Sequence, residues 1–191
     1  MIYTQKIKDA ILFAIETHEL NKKQKRKGKD VPYITHPFTV GIILSLVGAR
    51  EELVISGILH DTIEDSDENK KVSKEMIENK FGLEVSKLVV SVTEEDKALS
   101  WDERKKTALE HIKNFSNDSV LLKSADIISN VSELKDDFDR NENKIFESFS
   151  QPKEKTLKVY ENVIKALIKK WPQNPLIEDL NIVLKKICKM Y

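Results

Sequence analysis

The stretch Ile58-Leu59-His60-Asp61-Thr62-Ile63-Glu64-Asp65 decides the fold. It joins two adjacent metal-ligand residue types, followed by two adjacent carboxylates, to the end of an apolar run. Side chains four positions apart share one face of a helix, so His60 would lie below Glu64. Asp61 would lie below Asp65 in the same way. A neutral imidazole and a carboxylate in an apolar helix need polar partners, and a metal ion is the simplest partner for both.

Each of these four residues also has a purely structural interpretation. A histidine on an apolar helix is commonly a core residue, and a Glu-Asp pair commonly marks a solvated helix end, which Thr62 and Ser66 would suit. Two further stretches favour function, because each places another ligand type in or beside an apolar segment: Tyr33-Ile34-Thr35-His36-Pro37, and Leu121 to Asn130 with Asp126. Glu64 and Asp65 would then act on a metal-bound water as an acid/base pair.

The ordered set His36, His60-Asp61 and Asp126 resembles the H…HD…D motif of the HD-domain metal-dependent phosphohydrolases. The surrounding sequence resembles one branch of them, the (p)ppGpp hydrolase domain of RelA/SpoT proteins and the small stand-alone alarmone hydrolases. The resemblance runs from about residue 10 to 135 and includes four stretches: Arg26-Lys27-Gly28, Pro32 to Pro37, Leu59 to Asp65, and Lys123 to Asn130. It implies an all-α, compact multi-helix HD-domain bundle with a metal site in its centre.

The resemblance also implies a role for each motif residue. The metal ligands would be His36, His60, Asp61 and Asp126, and the catalytic pair Glu64 and Asp65. The substrate contacts would be Arg26 and Lys27 in a nucleotide-binding loop, Lys97 at a phosphate and Asn130 at the ribose. The resemblance favours a single Mn²⁺ as cofactor. The mixed nitrogen and oxygen donors by themselves suit Mn²⁺, Fe²⁺ or Zn²⁺ more than Ca²⁺.

The chain departs from the family pattern at two positions beside Asp126. Ile127 stands where the family usually has a basic residue, and Ser124 stands where it usually has a leucine before the alanine. The metal ligands are unaffected, so these departures concern the nucleotide pocket.

Six basic residues lie between Lys22 and Lys29. Most such runs are solvated loops. The functional interpretation is a grip on the substrate, since arginine can stack on a purine and lysine offers a point charge to phosphate.

Length and composition indicate one domain over residues 1–191, with a core of about 5–135 on which the helices of 142–191 pack. Lys plus Arg equals Asp plus Glu at 32 each, so no overall field favours nucleic acid or a membrane. A single cysteine, Cys188, excludes an intrachain disulfide and a cysteine-rich zinc site. No apolar run approaches about 18 residues, and we expect a soluble, cytoplasmic protein.

Helical spacing of apolar residues predicts the elements. They are a first helix over Ile7 to His18, a buried second helix over Phe38 to Val47, a third over 50–64 with the His-Asp pair, a helix (or strand) over Leu83 to Val92, one over Val120 to Leu134, a polar link at 136–141, helices at 144–149 and 153–170, and a last helix with Asn174 as cap and Pro175 at its first position.

The main functional hypothesis is metal-dependent hydrolysis of the 3′-pyrophosphate of (p)ppGpp, giving GDP or GTP and pyrophosphate. One alternative is an HD phosphohydrolase acting on ppApp, NADPH or a 5′-nucleotide. Another is a non-catalytic nucleotide sensor or metal-stabilised structural module, although such a protein needs no acid/base pair beside its metal. We expect a small-molecule nucleotide as partner, with no nucleic acid and no membrane.

Overall fold

A computed structural model describes residues 3–94 and 98–191. Within these residues the chain is all-α, as predicted, and its β pairing is limited to one isolated bridge between Lys25 and Pro32. Two compact units divide the chain: Met1–Arg26 with Asp30–Glu95, and Lys27–Lys29 with Asp96–Tyr191. The organisation as a single domain stays a prediction.

Within its described residues, the first unit contains six α-helices. Helix α1 begins after Thr4, whose hydroxyl accepts a hydrogen bond from the Ile7 amide, and it buries Ile7, Ala10 and Ala14 on one face as predicted. A π-helical segment, Glu16–Asn21, follows directly and holds the buried His18. The helices are α1 Gln5–Ile15, α2 Thr35–Leu46, α3 Glu51–Leu59, α4 Thr62–Asp65, α5 Lys74–Phe81 and α6 Leu83–Val92.

Helices α2 and α3 approach each other closely because each has a glycine at the contact. A Cβ at Gly57 would lie 2.6 Å from the Leu44 side chain, and a Cβ at Gly41 would lie 2.8 Å from that of Ile58. Leu44 is fully buried, so it has little room to move aside. This close packing fixes the segments that follow α3 and begin α2, which contain the ligand-type residues.

The predicted continuous helix over 50–64 is wrong. Helix α3 ends at Leu59, and α4 begins only at Thr62. The His60 ring donates from Nδ1 to the Gly57 carbonyl at 2.8 Å, and the Thr62 hydroxyl donates to the Leu59 carbonyl at 2.7 Å. In a continuous helix these two carbonyls would accept hydrogen bonds from backbone amides. Here they accept from side chains instead, and the helix is interrupted at this point.

The second unit contains four long helices: α7 Trp101–His111, α8 Asn117–Asn141, α9 Lys153–Lys170 and α10 Ile177–Cys188. Ser100 and Glu103 form a capping box at the start of α7. The predicted polar link at 136–141 is wrong, because α8 runs through it, and Asp137 in that stretch is buried beside Lys29. The segment predicted at 144–149 is a 3₁₀ helix, Glu142–Ser148.

The predicted start of the last helix is also wrong, since α10 begins two residues after Pro175. Asn174 nevertheless acts near the start, because its Oδ1 accepts a hydrogen bond from the Leu176 amide at 2.9 Å. Across the described ranges, every helix is too short or too polar to cross a membrane.

Candidate metal centre

Three ligand-type atoms converge in the first unit. His36, in the first turn of α2, and His60, directly after α3, bring their Nε2 atoms to 3.2 Å from each other. The Oδ2 atom of Asp61 lies 3.1 Å from Nε2 of His60 and 3.6 Å from Nε2 of His36. Both histidines are buried, whereas the Asp61 side chain is partly exposed.

The chemistry of these atoms fits a cation. The Gly57 carbonyl can only accept, so Nδ1 of His60 carries a proton and a neutral ring turns the lone pair of Nε2 toward the other two residues. Ligand bonds of about 2.0–2.2 Å separate neighbouring donors by roughly 3.0–3.5 Å, which is close to the observed separations of 3.1, 3.2 and 3.6 Å. Two imidazoles and a carboxylate are donors that Mn²⁺, Fe²⁺ and Zn²⁺ accept.

Tyr33 holds the carboxylate of this set. Its hydroxyl donates a short hydrogen bond to Oδ2 of Asp61. Burial, followed by the negative charge of Asp61, raises the pKa of the Tyr33 hydroxyl well above its usual value, so the proton stays on the donor. The ring also contacts His18 at 5.1 Å between centroids and lies under the Arg26 guanidinium at 5.4 Å.

Glu64 has the electrostatics of a general base. Burial, with the charge of Asp61 as the next cause, raises the pKa of its carboxyl to about 7. The Glu94 backbone amide donates to Oε2 of Glu64 at 3.2 Å and partly offsets this rise. A carboxyl with a pKa near neutrality can take and return a proton under physiological conditions.

Asp65 is held by the loop that precedes Tyr33. Nε2 of Gln24 donates to its Oδ2 at 2.9 Å. The Lys22 ammonium donates to the Asp65 backbone carbonyl at 2.5 Å and lies 3.8 Å from the carboxylate. The Asp65 amide donates to the Asp61 carbonyl at 2.8 Å. The backbone between these two residues therefore forms one helical turn after the helix break.

In the second unit, Asp126 lies buried in the middle of α8. Its two carboxylate oxygens contact side chains of the same helix: Nδ2 of Asn130 at 2.6 Å and the Lys123 ammonium at 2.7 Å. These contacts supply the polar partners that a buried carboxylate needs. Asn130 faces Asp126, so one of its amide hydrogens is already engaged.

The two departures from the family pattern both point into the second unit's interior. Ile127 is buried in the core. The Ser124 hydroxyl, fully buried, donates to the Val120 carbonyl and accepts from the Asn174 amide at 2.8 Å. Ser124 thus has a structural explanation, because it provides the partner that a buried asparagine requires.

Several residues of the basic run contact other side chains of the protein, whereas a solvated loop would leave them in water. Lys25 pairs with Asp30, and Lys29 pairs with Glu133 and with Asp137, the latter at 2.6 Å. Lys27 lies over the Phe149 ring at 4.9 Å. Arg26 belongs to the first unit and Lys27 to the second.

Sequence reasoning missed two residues of this site, Tyr33 and Gln24. Tyr33 lies in the stretch quoted for His36, and its aromatic hydroxyl three residues before a ligand was an available signal. Gln24 is one of two uncharged residues in the run of basic residues from Lys22 to Lys29, which was a weaker signal. Lys97, the predicted phosphate contact, lies outside the described residues.

The described fold is all-α, and it brings together two imidazoles and a carboxylate beside a carboxyl of raised pKa. These features define the class of the protein, a helical protein with a candidate metal site. The chain belongs to the HD-domain family, whose model matches residues 10–161.

Relatives share this region of the chain. It is 39% identical over 132 residues to a guanosine-3′,5′-bis(diphosphate) 3′-pyrophosphohydrolase, MESH1, of Xenopus tropicalis, covering 68% of this chain and 69% of that protein. It is also 36% identical to the guanosine-3′,5′-bis(diphosphate) 3′-pyrophosphohydrolase of Aquifex aeolicus. That match covers 69% of this chain and 18% of the longer relative.

Solved structures agree with the family assignment. A structure titled as a metazoan orthologue of SpoT that hydrolyses ppGpp matches with a TM-score of 0.77 and 25% identity, covering 99% of this chain and 97% of that one. A Listeria monocytogenes protein matches with a TM-score of 0.71 and 28% identity, covering 81% of this chain and 99% of that one.

Proposed function

We propose that this protein is a metal-dependent phosphohydrolase that removes the 3′-pyrophosphate of (p)ppGpp, releasing pyrophosphate and GDP or GTP. The observation that carries the proposal is the convergence of the His36, His60 and Asp61 donor atoms, together with the raised pKa of Glu64. The relatives named as 3′-pyrophosphohydrolases support the choice of reaction and substrate.

His36, His60 and Asp61 would hold the cation, which we propose to be Mn²⁺. We propose Asp126 as a fourth ligand, because it is a buried carboxylate and matches the last position of the family motif. A divalent cation bound by these residues would lower the pKa of water and so supply a nucleophile near neutral pH.

The chain's own part in the reaction is proton transfer and orientation. Glu64 would take the proton of the attacking water, since its pKa of about 7 allows a large ionised fraction at neutral pH without making it a poor base. Asp65, fixed through Gln24, would orient the water for attack on phosphorus. The proton then reaches the leaving ribose 3′-oxygen when the ester bond breaks.

The proposed substrate contacts follow from the charge and shape of four side chains. Arg26 offers a guanidinium plane for the guanine, and Lys27 and Lys97 offer ammonium groups for the phosphates. Asn130, whose side chain contacts the proposed ligand Asp126, would bind the ribose through its side-chain amide.

The test is pyrophosphate release from ppGpp by metal-stripped protein, with and without added Mn²⁺. We expect release only with Mn²⁺, and we expect Asp61→Asn to abolish both Mn²⁺ binding and turnover. The matched control is Asp67→Asn, in the exposed turn after α4, which should keep full activity. Metal binding without turnover of any nucleotide would contradict the proposal and favour a sensor or structural module.

One observation favours a nucleotide other than ppGpp as the substrate. Ile127 is apolar and stands at a position where the family usually has a basic residue. ppApp and NADPH should therefore be assayed beside ppGpp under the same conditions. Turnover of either in preference to ppGpp would keep the metal centre and replace the substrate.

A further inference from the structure

We propose that Gln24 and His18 are positioning residues that fix the orientation of the Asp65 carboxylate. This inference deepens the proposed function and rests on the role given there to Asp65. It comes from a chain of two hydrogen bonds that links a fully buried histidine to one end of the acidic pair.

The direction of each hydrogen bond follows from the groups involved. An ionised carboxylate can only accept, so the Gln24 atom 2.9 Å from Oδ2 of Asp65 is the amide nitrogen. The amide oxygen Oε1 then faces Nδ1 of His18 at 3.0 Å. Because Oε1 can only accept, Nδ1 carries a hydrogen. A hydrogen bond from Nδ1 of His18 to Oε1 stabilises the amide orientation of Gln24 that presents a donor to Asp65.

The backbone around Gln24 is held as tightly as its side chain. Its amide donates to the His18 carbonyl and its carbonyl accepts from the Tyr33 amide, both at 2.9 Å. The residue before it, Lys23, has φ of 50°, a left-handed conformation that costs free energy in a non-glycine residue. The segment before that is π-helical, a form that is uncommon and concentrated at functional sites.

His18 itself is not explained by packing alone. It is fully buried, and its Nε2 has no hydrogen-bond partner within residues 3–94 and 98–191. Burial lowers the pKa of the ring, which keeps Nε2 unprotonated in the neutral form. An apolar side chain would fill this space without leaving a buried acceptor unpaired, so the ring's useful atom is Nδ1 and its bond to Gln24.

The experiment compares four variants in the full chain. Gln24→Met removes both side-chain hydrogen bonds at similar volume, and Gln24→Glu keeps the acceptor for His18 but removes the donor to Asp65. His18→Leu removes the donor to Gln24, whereas His18→Asn supplies an amide N–H in place of Nδ1. The control is Gln5→Met, because Gln5 also donates to an aspartate, Asp9, at 2.8 Å, but on the exposed face of α1.

We expect Gln24→Met, Gln24→Glu and His18→Leu to lower kcat for ppGpp about 10–100-fold, because small errors in orientation are costly in catalysis. KM and bound Mn²⁺ should stay unchanged, and His18→Asn should recover most of the loss. A merely structural role would instead lower metal content, or lower kcat equally in His18→Asn and His18→Leu, and either result overturns the proposal.

A crystal structure of Gln24→Met separates this inference from the proposed function. The carboxylate of Asp65 should rotate away from its wild-type orientation. An unchanged orientation overturns the positioning role, whatever the kinetics. If the wild-type protein does not hydrolyse ppGpp, or Asp65→Asn keeps full turnover, the proposed function of Asp65 fails, and the orientation seen in the crystal still decides whether His18 and Gln24 set it.

Discussion

At the scale of single residues, the proposed metal centre depends on groups that hold the ligands as well as on the ligands. Tyr33→Phe removes the hydroxyl that donates to Asp61 and changes little else, because the ring stays in place against His18. We expect Mn²⁺ affinity to fall about 10–100-fold, as is typical when the partner of a ligand is lost. Titration calorimetry with the metal-stripped protein measures this.

The control for this variant is Tyr3→Phe, since the Tyr3 side chain is 66% exposed. Equal affinities for Mn²⁺ in Tyr33→Phe and the wild-type protein would show that the hydrogen bond to Asp61 has no effect on the metal.

The proposed base Glu64 predicts a pH dependence of turnover. The ionised fraction of a carboxyl with a pKa of about 7 rises through neutrality, and a bound cation shifts that rise to lower pH. We expect kcat to increase with pH and to reach half its plateau at or below about pH 7. Glu64→Gln should lower kcat about 10²–10⁴-fold and remove this limb while leaving metal bound. Retained turnover in Glu64→Gln would assign the base elsewhere.

The same raised pKa predicts how the stability of the metal-stripped protein changes with pH. The folded-state pKa of Glu64, about 7, exceeds the ordinary glutamate pKa of 4.5, so between these pH values the folded state binds more protons than the unfolded state. The free energy of unfolding should therefore fall as pH rises through this range, with a contribution from Glu64 on the order of 2 kcal/mol. Urea unfolding at several pH values should show a smaller fall in Glu64→Gln, and an unchanged one in Glu68→Gln, in an exposed turn.

At the scale of the helices, the close packing of α2 against α3 brings His36 and His60 together. Gly57→Ala would place a methyl group 2.6 Å from the buried Leu44 side chain. We expect a loss of about 1–3 kcal/mol in stability from overpacking, against at most about 1 kcal/mol gained from helix propensity, together with weaker Mn²⁺ binding. Leu46→Ala, an 81% exposed position on α2, is the control. Wild-type stability and metal affinity in Gly57→Ala would contradict this account.

The helix break at His60 is a further feature of this scale. The apolar run correctly predicted a buried helix before the His-Asp pair, but the prediction wrongly continued that helix through the pair to residue 64, whereas α3 ends at Leu59. The ending depends on side-chain to backbone bonds of His60 and Thr62, which compete with the helical ladder by small free-energy differences. Such competition is decided by the surroundings, because the same residues also occur within uninterrupted helices.

At the scale of the whole molecule, a contact between distant positions explains one departure from the family pattern, Ser124. Ser124→Ala leaves the buried Asn174 amide without its partner and should cost about 1–3 kcal/mol of stability. The double variant Ser124→Ala with Asn174→Ala should cost less than the sum of the single changes, with a coupling of about 1 kcal/mol. Chemical denaturation of the four proteins measures this, and kcat for ppGpp should not change.

Ser132→Ala is the control for that cycle. Ser132 is also on α8, but its contact from Lys186 in α10 is long, at 3.4 Å. Additive costs at Ser124 and Asn174 would show that the two side chains do not stabilise each other.

The sequence by itself determined the helical class, the principal helices and the identity of the ligand-type and acidic residues. These properties depend on local periodicity, capping residues and side-chain chemistry, and each of these is determined by a few neighbouring residues. The helix predicted over 153–170, which the structure places at Lys153–Lys170, and the buried face of α1 are examples. The tertiary structure decided which side chains hold the carboxylates of Asp61 and Asp65. Tyr33 reaches Asp61 across 28 positions of the chain, and Gln24 reaches Asp65 across 41, because packing of the helices brings these segments together and no local pattern encodes that separation.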